Sequence, residues 1–245
     1  GTIMAESIKQ IPIKQIFWQA YLYMQTNLKQ IRLFWLANFV LFALYSFIPQ
    51  SAPTPLLVLA VLSYYYFLFV FFRIYFHKKP YFLTMDFFGS VIPSTKMFFF
   101  MFIVVFLLVI LPFLPLFMGF NEQYLLWFEK YMETLQNIEG SILNQMVFAA
   151  VLLFLSPFII SRPTFAWLSA LQGLNGSMHK AFRKTQGNYW RFVLVIALLD
   201  VPCFIAYGAD VLLGCHNWLF LAFGSLFCLY FSVVFAKLYD FFYAD

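Results

Sequence analysis

Residues 98–117, FFFMFIVVFLLVILPFLPLF, decide the fold class of this chain. All twenty positions are apolar, and a helix needs about 20 consecutive apolar residues to cross a bilayer. A transmembrane β-strand would instead alternate apolar and polar residues over about ten positions. The stretch therefore predicts a membrane-spanning α-helix.

Similar apolar stretches recur along the chain and predict six spans, at residues 33–48, 55–76, 97–118, 142–160, 192–208 and 218–236. Of the 245 residues, 64% are hydrophobic and only 10% are charged, whereas a soluble domain carries about 25% charged residues. So few charges cannot cover a soluble exterior. We expect an all-α, polytopic membrane protein in which residues 1–245 form a single integral membrane domain. Gly1, Thr2 and Ile3, which precede Met4, are expected to be a cloning remnant.

The distribution of cations predicts the orientation, because cytoplasmic loops carry an excess of Lys and Arg. With the N-terminus in the cytoplasm, fourteen of the fifteen Lys and Arg residues fall on the cytoplasmic side. Only Lys130 falls on the other side, in an acidic outer loop at 119–141. We expect both termini in the cytoplasm of a bacterial inner membrane. The net charge of +5 is then explained by orientation, without a nucleic-acid partner.

Each odd-numbered span follows a semi-polar stretch that we interpret as an interfacial amphipathic helix. These stretches are residues 4–31, with apolar positions at helical spacing; residues 81–91, broken by Pro93; and residues 163–185, in two parts around Gly173 and Gly176. Their joins to the following spans are similar: NLKQIR at 27–32, STK at 94–96 and GNYWR at 187–191. The unit is an interfacial helix followed by a transmembrane hairpin, repeated three times.

This repeated unit resembles the YciC family of bacterial inner-membrane proteins, and it is similar to the membrane region fused to some glycerophosphodiester phosphodiesterases. The clearest local match is KAFRKTQGNYWR, residues 180–191, and Asn27 with Arg32 looks like the corresponding N-terminal turn. The long acidic loop and the high Phe content depart from the family pattern. The resemblance implies a three-hairpin fold and carries over no catalytic residue.

Asp200 is the sharpest candidate for a functional residue. It lies nine residues past Arg191, about 13 Å into the membrane at 1.5 Å per residue. A carboxylate there costs about 2.5–3.5 kcal/mol on insertion scales, and Pro202 follows at the same depth. The residues leave open a proton or cation site and a hydrogen-bonded structural Asp. Asn38 is the partner predicted from depth, followed by Ser63 and Tyr64.

A second candidate site is a basic surface at headgroup level. Cations there anchor and orient the chain, or they form a pocket for anionic headgroups. The predicted headgroup-binding residues are Arg73, Lys78, Lys79, Arg183, Lys184 and Arg191. At the opposite end, Asp210, Cys215 and His216 are metal-ligand types without a recognised spacing, so we favour a solvated loop there and expect neither a metal nor a cofactor.

The leading hypothesis is a non-enzymatic envelope protein that transports or binds lipids or small solutes. The alternatives are an accessory subunit or scaffold of a membrane complex and, third, an enzyme acting on lipid headgroups, for which no nucleophile with a base is visible. The expected partners are membrane lipids. A second copy of the chain and another membrane protein both stay open.

Overall fold

The computed structural model describes residues 9–49, 51–78, 85–110 and 142–244, with isolated positions between 123 and 133. The described residues contain helices and no strand, which confirms the all-α prediction. The isolated positions of the predicted acidic loop are helical and exposed, and the rest of that loop lies outside the described residues.

The described helices follow one another in chain order. They are α1 (Ile13–Thr26), α2 (Leu28–Ser46), α3 (Thr54–Tyr75), α4 (Met85–Ile110), α5 (Ile142–Ser156), a π-helical segment (Pro157–Ser161), α6 (Arg162–Leu171), α7 (Met178–Lys184), α8 (Tyr189–Leu213) and α9 (Trp218–Tyr243).

Five of the described segments are long and apolar enough to cross a membrane, as a multi-pass membrane protein requires. They are Leu28–Ser46, Thr54–Tyr75, Ala149–Leu171, Tyr189–Leu213 and Trp218–Tyr243. The predicted third span, 97–118, falls on α4 up to Ile110, and its last eight positions lie outside the described residues.

Helix α9 is the central helix of the described bundle. It packs against α8, α2 and α1, and also touches α3 and α6. Phe165 of α6 is fully buried among the rings of Phe192 of α8 and of Phe235 and Phe242 of α9, at centroid distances of 5.8, 6.3 and 5.9 Å. The core therefore sits where α6 meets the α8–α9 hairpin, whereas large apolar side chains on the outer faces stay exposed, as bilayer contact requires.

The first predicted interfacial helix corresponds to α1, which ends in a turn at Asn27 before α2 begins. Ile16 and Ala20 bury one face of α1, while Trp18 and Leu22 are exposed on another. A half-buried helix with an exposed Trp suits the membrane–water boundary. The structure thus supports an amphipathic helix, α1, before the first hairpin.

The other two predicted interfacial stretches differ from expectation. Helix α4 includes Pro93 and does not end there. Residues 163–171 belong to α6, a buried helix that continues α5 without a break. In the π-helical segment between them, the Arg162 amide donates to the Pro157 carbonyl, five residues earlier. A π-bulge of this kind absorbs a local disturbance without ending the helix, so the prolines there do not separate a span from an interfacial helix.

Candidate functional site

The cations of distant chain segments meet at one end of the bundle, which we call the basic end: the C-terminal ends of α3 and α9 and the N-terminal ends of α2 and α8. The Lys9 ammonium donates to the Ala244 carbonyl at 3.0 Å, and the Lys184 ammonium donates to the Phe242 carbonyl at 3.3 Å. Both contacts close the C-terminal end of α9, where the helix macrodipole favours cations.

Arg73 was predicted to bind headgroups, and the structure corrects this prediction. Its side chain is fully buried. Nη1 donates to Ser90 Oγ of α4 at 2.6 Å and to the Leu171 carbonyl at the end of α6 at 3.2 Å, and the guanidinium carbon lies 6.0 Å from the centre of the Phe69 ring. Arg73 therefore ties three helices together inside the protein and does not face a headgroup.

Two further cations, the buried Arg162 and the half-buried Lys237, also pack against aromatic rings. Arg162 donates from Nε to Thr185 Oγ1 at 3.1 Å, and its guanidinium carbon lies 5.2 and 5.0 Å from the centres of the Phe158 and Phe182 rings. Cation–π contacts of this kind gain strength when water is excluded. Arg162 therefore holds the α6 start against α7.

Lys237 packs between two tyrosines near the end of α9. Its ammonium lies 5.4 Å from the centre of the Tyr23 ring and 5.3 Å from that of Tyr75. The Tyr75 hydroxyl donates to Asp240 Oδ2 at 2.8 Å, while burial raises the pKa of the Tyr23 phenol. This group joins α1, α3 and α9.

The other predicted headgroup residues are placed differently from one another. Lys78 is half-buried just after α3, and Lys79 lies outside the described residues. Arg183 is exposed on α7, and the Lys184 ammonium lies 4.9 Å from the centre of the Tyr243 ring. Because Arg73 is buried, the five of these residues that the structure describes do not form one headgroup pocket.

Arg191 binds a non-helical piece of the protein's own N-terminal region, residues 9–11, which we call the strap. Nη1 donates to the Ile11 carbonyl at 2.7 Å, and Nη2 donates to Gln10 Oε1 at 2.8 Å. The buried Asn188 amide holds the same segment: the Ile11 amide donates to its Oδ1 at 2.9 Å, and its Nδ2 donates to the Lys9 carbonyl at 2.7 Å. Ile11 is fully buried.

The first and third joins have the same backbone turn. Asn27, before α2, has φ −108° and ψ 30°, and Asn188, before α8, has φ −108° and ψ 15°. The second join, at 94–96, lies inside the continuous α4. The predicted similarity of the joins is therefore visible in the backbone at two of the three.

Two grooves lie at the first and second joins. The groove at the second join has a volume of about 460 Å³, and Lys96 and Thr95 line it beside Phe99, Phe100 and Ile103 on one face of α4. The groove at the first join has a volume of about 350 Å³, and its lining residues are Thr26, Asn27, Lys29, Gln30 and Leu33. Each groove places a lysine beside apolar surface.

Asn38 is fully buried, but Asp200 is not its partner. Asn38 Nδ2 donates to the Ser225 carbonyl of α9 at 2.9 Å, and among the described residues its Oδ1 has no hydrogen-bond partner. Ser63 donates to the Leu59 carbonyl and Tyr64 pairs with the Cys228 thiol. The predicted partnership is therefore wrong, because α9 packs against both α2 and α8 and provides the acceptor for Asn38.

Asp200 lies near the middle of α8 and is half-buried, next to the fully packed Leu199. Among the described residues, none donates a hydrogen bond to its carboxyl group. Pro202 lies inside the same helix, and because proline has no N–H, the Leu198 carbonyl loses its usual donor there. Asp200 therefore combines a mid-helix carboxyl group with a locally weakened backbone, as a proton or cation site needs.

Asp210, at the far end of α8, acts as a cap for α9. Its Oδ1 accepts the Asn217 amide and its Oδ2 accepts the Phe220 amide, both at 2.8 Å. Within the described ranges of the chain, no three His, Cys, Asp or Glu side chains are grouped as they would be around a metal ion. The buried Asp210 thus holds the turn of the last hairpin.

Compared with family models, curated proteins and solved structures, the chain has no match. The resemblance to the YciC family therefore stays a prediction from the residues, and any function has to be argued from the geometry.

Proposed function

We propose that this chain is a non-enzymatic protein of a bacterial inner membrane, with six spans and both termini in the cytoplasm. In this proposal it binds anionic lipids at the joins, where each predicted interfacial helix meets the transmembrane hairpin that follows it. The gathering of Lys9, Arg73, Lys184 and Arg191 at one end of the bundle supports the orientation. Helix α4 supplies the third span of this proposal from about Met97 onward.

The single observation that carries the lipid proposal is the groove on α4. Lys96 is exposed at the headgroup level of the predicted third span, and Phe99, Phe100 and Ile103 follow it one and two turns later along the same face. An anionic phospholipid has the same order of groups: a phosphate at the interface and an acyl chain toward the bilayer centre. Basic pockets beside spans on the cytoplasmic side suit such headgroups.

The groove at the first join repeats this arrangement on α2. Lys29 and Gln30 offer donors to a phosphate, and the apolar surface begins one turn later at Leu33. Leu33 and Leu36 are exposed at 64% and 60%, so an acyl chain can lie along them. The recurrence at two joins favours a lipid function over a chance groove.

Neutralising the groove lysines tests the proposal. We expect Lys96→Gln, and to a similar extent Lys29→Gln, to weaken binding of phosphatidylglycerol about fivefold each, because a Lys near an anionic surface contributes about 1 kcal/mol. Binding of phosphatidylcholine should change little. The measurement is titration of the detergent-purified protein followed by native mass spectrometry, which resolves each bound lipid.

The matched control is Lys14→Gln, which removes the same charge from an exposed position of α1 outside both grooves. If Lys14→Gln weakens phosphatidylglycerol binding as much as Lys96→Gln does, the affinity reflects the overall charge and the groove proposal is wrong.

A further inference from the structure

The Arg191 fork holds two oxygen atoms that do not belong to its own helix. Its two terminal nitrogens donate separately to the Ile11 carbonyl at 2.7 Å and to Gln10 Oε1 at 2.8 Å. Two acceptor oxygens on two nitrogens of one guanidinium are the arrangement in which arginine binds phosphate. The strap oxygens thus stand where phosphate oxygens would lie.

The strap is held mainly by hydrogen bonds between its backbone and the Asn188 side chain. The Asn188 side chain accepts a hydrogen bond from the Ile11 amide and donates one to the Lys9 carbonyl. The Ile11 side chain is fully buried. The Lys9 ammonium adds a contact to Ala244. The segment therefore closes over Arg191 by a small set of hydrogen bonds and one apolar anchor, which a competing ligand of higher charge could displace.

The cation of the third join is covered, unlike the lysines of the first two joins. Grooves lie beside Lys29 and Lys96 at the first two joins, whereas the cation of the third join is covered by the strap. We propose that Arg191 is a third phosphate site, which binds the headgroup of an anionic lipid when the strap leaves, so that residues 9–11 act as its internal competitor. The choice of ligand class rests on the function proposed above.

The competition has a physical basis in charge. The strap presents neutral amide oxygens to the guanidinium, whereas a phosphate also brings a full negative charge and can accept two parallel N–H bonds from one arginine. The apparent affinity of a covered site equals its intrinsic affinity reduced by the fraction of open molecules. Weakening the strap should therefore strengthen binding of the lipid.

Asn188→Ala tests this prediction, because it removes two strap contacts and leaves Arg191 in place. The Asn188 side chain does not cap α8, so the helix start is kept. Each hydrogen bond of about 1 kcal/mol corresponds to about a fivefold change. We expect phosphatidylglycerol to bind up to about 25-fold more tightly, and the gain to disappear in the double variant Asn188→Ala, Arg191→Gln.

The controls identify the source of the phosphate and the site. Gln186→Ala, at an exposed position of the same turn, should leave the affinity unchanged. Inorganic phosphate is titrated in parallel: a gain for inorganic phosphate without a gain for phosphatidylglycerol would overturn the lipid proposal. The tighter phosphatidylglycerol binding of Asn188→Ala should persist when Lys29→Gln and Lys96→Gln are added. A failure of the groove proposal can therefore be distinguished from a failure of the Arg191 site.

Tighter binding that survives Arg191→Gln, or unchanged binding by a folded Asn188→Ala protein, would overturn the inference. If Asn188→Ala does not yield folded protein, Gln10→Ala replaces it, since this exposed side chain supplies only one of the two oxygens. The expected gain is then up to about fivefold, and no Arg191-dependent gain would refute the strap as competitor.

Discussion

Replacing Asn38 by leucine should leave the protein equally stable or make it more stable, although Asn38 is a buried, hydrogen-bonded residue. The two side chains have the same number of heavy atoms, so no large cavity forms. The change removes the bond from Nδ2 to the Ser225 carbonyl, and side-chain hydrogen bonds between membrane helices average about 0.6 kcal/mol, with a maximum of about 1.7 kcal/mol. It also removes the unpartnered Oδ1, whose burial costs about 1–3 kcal/mol.

With the average hydrogen bond, the balance is about 0.4–2.4 kcal/mol in favour of the leucine variant. The neighbouring contacts from Trp35 Nε1 to the Ala222 carbonyl and Ser225 Oγ, at 2.9 and 3.1 Å, stay in place and keep α2 registered on α9. Unfolding in bicelles by added SDS, followed by tryptophan fluorescence, gives the free energy of unfolding. Asn38→Ala is the control, because it removes the same groups and adds a cavity, so it should be less stable than Asn38→Leu.

A loss of more than about 2 kcal/mol in Asn38→Leu would refute this reasoning, since it exceeds the strongest hydrogen bond of this kind between membrane helices. Such a loss of stability would mean that Asn38 Oδ1 has a hydrogen-bond partner in the membrane, and a bound water or ion would be the first candidate.

Two other predictions concern α8 and the hairpin that it begins. Asp200→Asn should raise the free energy of unfolding or leave it unchanged, because it removes a carboxyl group from the middle of a proposed span; a lower free energy of unfolding in the bicelle assay would show that the carboxyl group has a stabilising partner. Cys215, in the turn between α8 and α9, should react with a membrane-impermeant maleimide in intact spheroplasts, whereas a cysteine at Gln186 in a Cys215→Ser background should react only after permeabilisation. Labelling of both from the same side would refute the proposed orientation.

The existence of most helices could be predicted from the sequence, but their ends could not. Apolar runs reveal where a helix needs a bilayer, and five described segments confirm this at the level of length and composition. Helix α2 begins at Leu28 and not at residue 33, because long cations such as Lys29 and Arg32 can stay in a helix and extend their charged ends to water. Likewise, α8 continues past Gly208 to Leu213.

The continuity of α5 and α6 could not be foreseen for a different reason. Prolines at 157 and 163 and a cation at Arg162 are typical of the end of a span, and they predicted an interfacial helix there. One π-helical turn joins α5 to α6 without a break. Helix α6 is buried against α4 and α9. A local pattern cannot show that tertiary packing will compensate for a proline.

The burial of Arg73 and Arg162 did have a signal in the sequence. Each follows a phenylalanine by four residues, Phe69 and Phe158, and in each case the guanidinium carbon lies within 6.0 Å of that ring centre. Side chains four residues apart share a helix face, so this spacing predicts a cation that folds back along its own helix. Arg183 has His179 four residues before it and is exposed.

Counting cations by side therefore does not identify a headgroup site. Lys9 and Lys184 bind carbonyl groups at the end of α9, and Arg73 binds the carbonyl at the end of α6. Carbonyl groups at a helix end lack intrahelical donors, so helices that stop at one end of a bundle create a need for cations there. Cations at this end of the bundle thus close helix ends, and under the proposed function the cations that bind lipids are those at the joins, where a helix begins and its carbonyls are already satisfied.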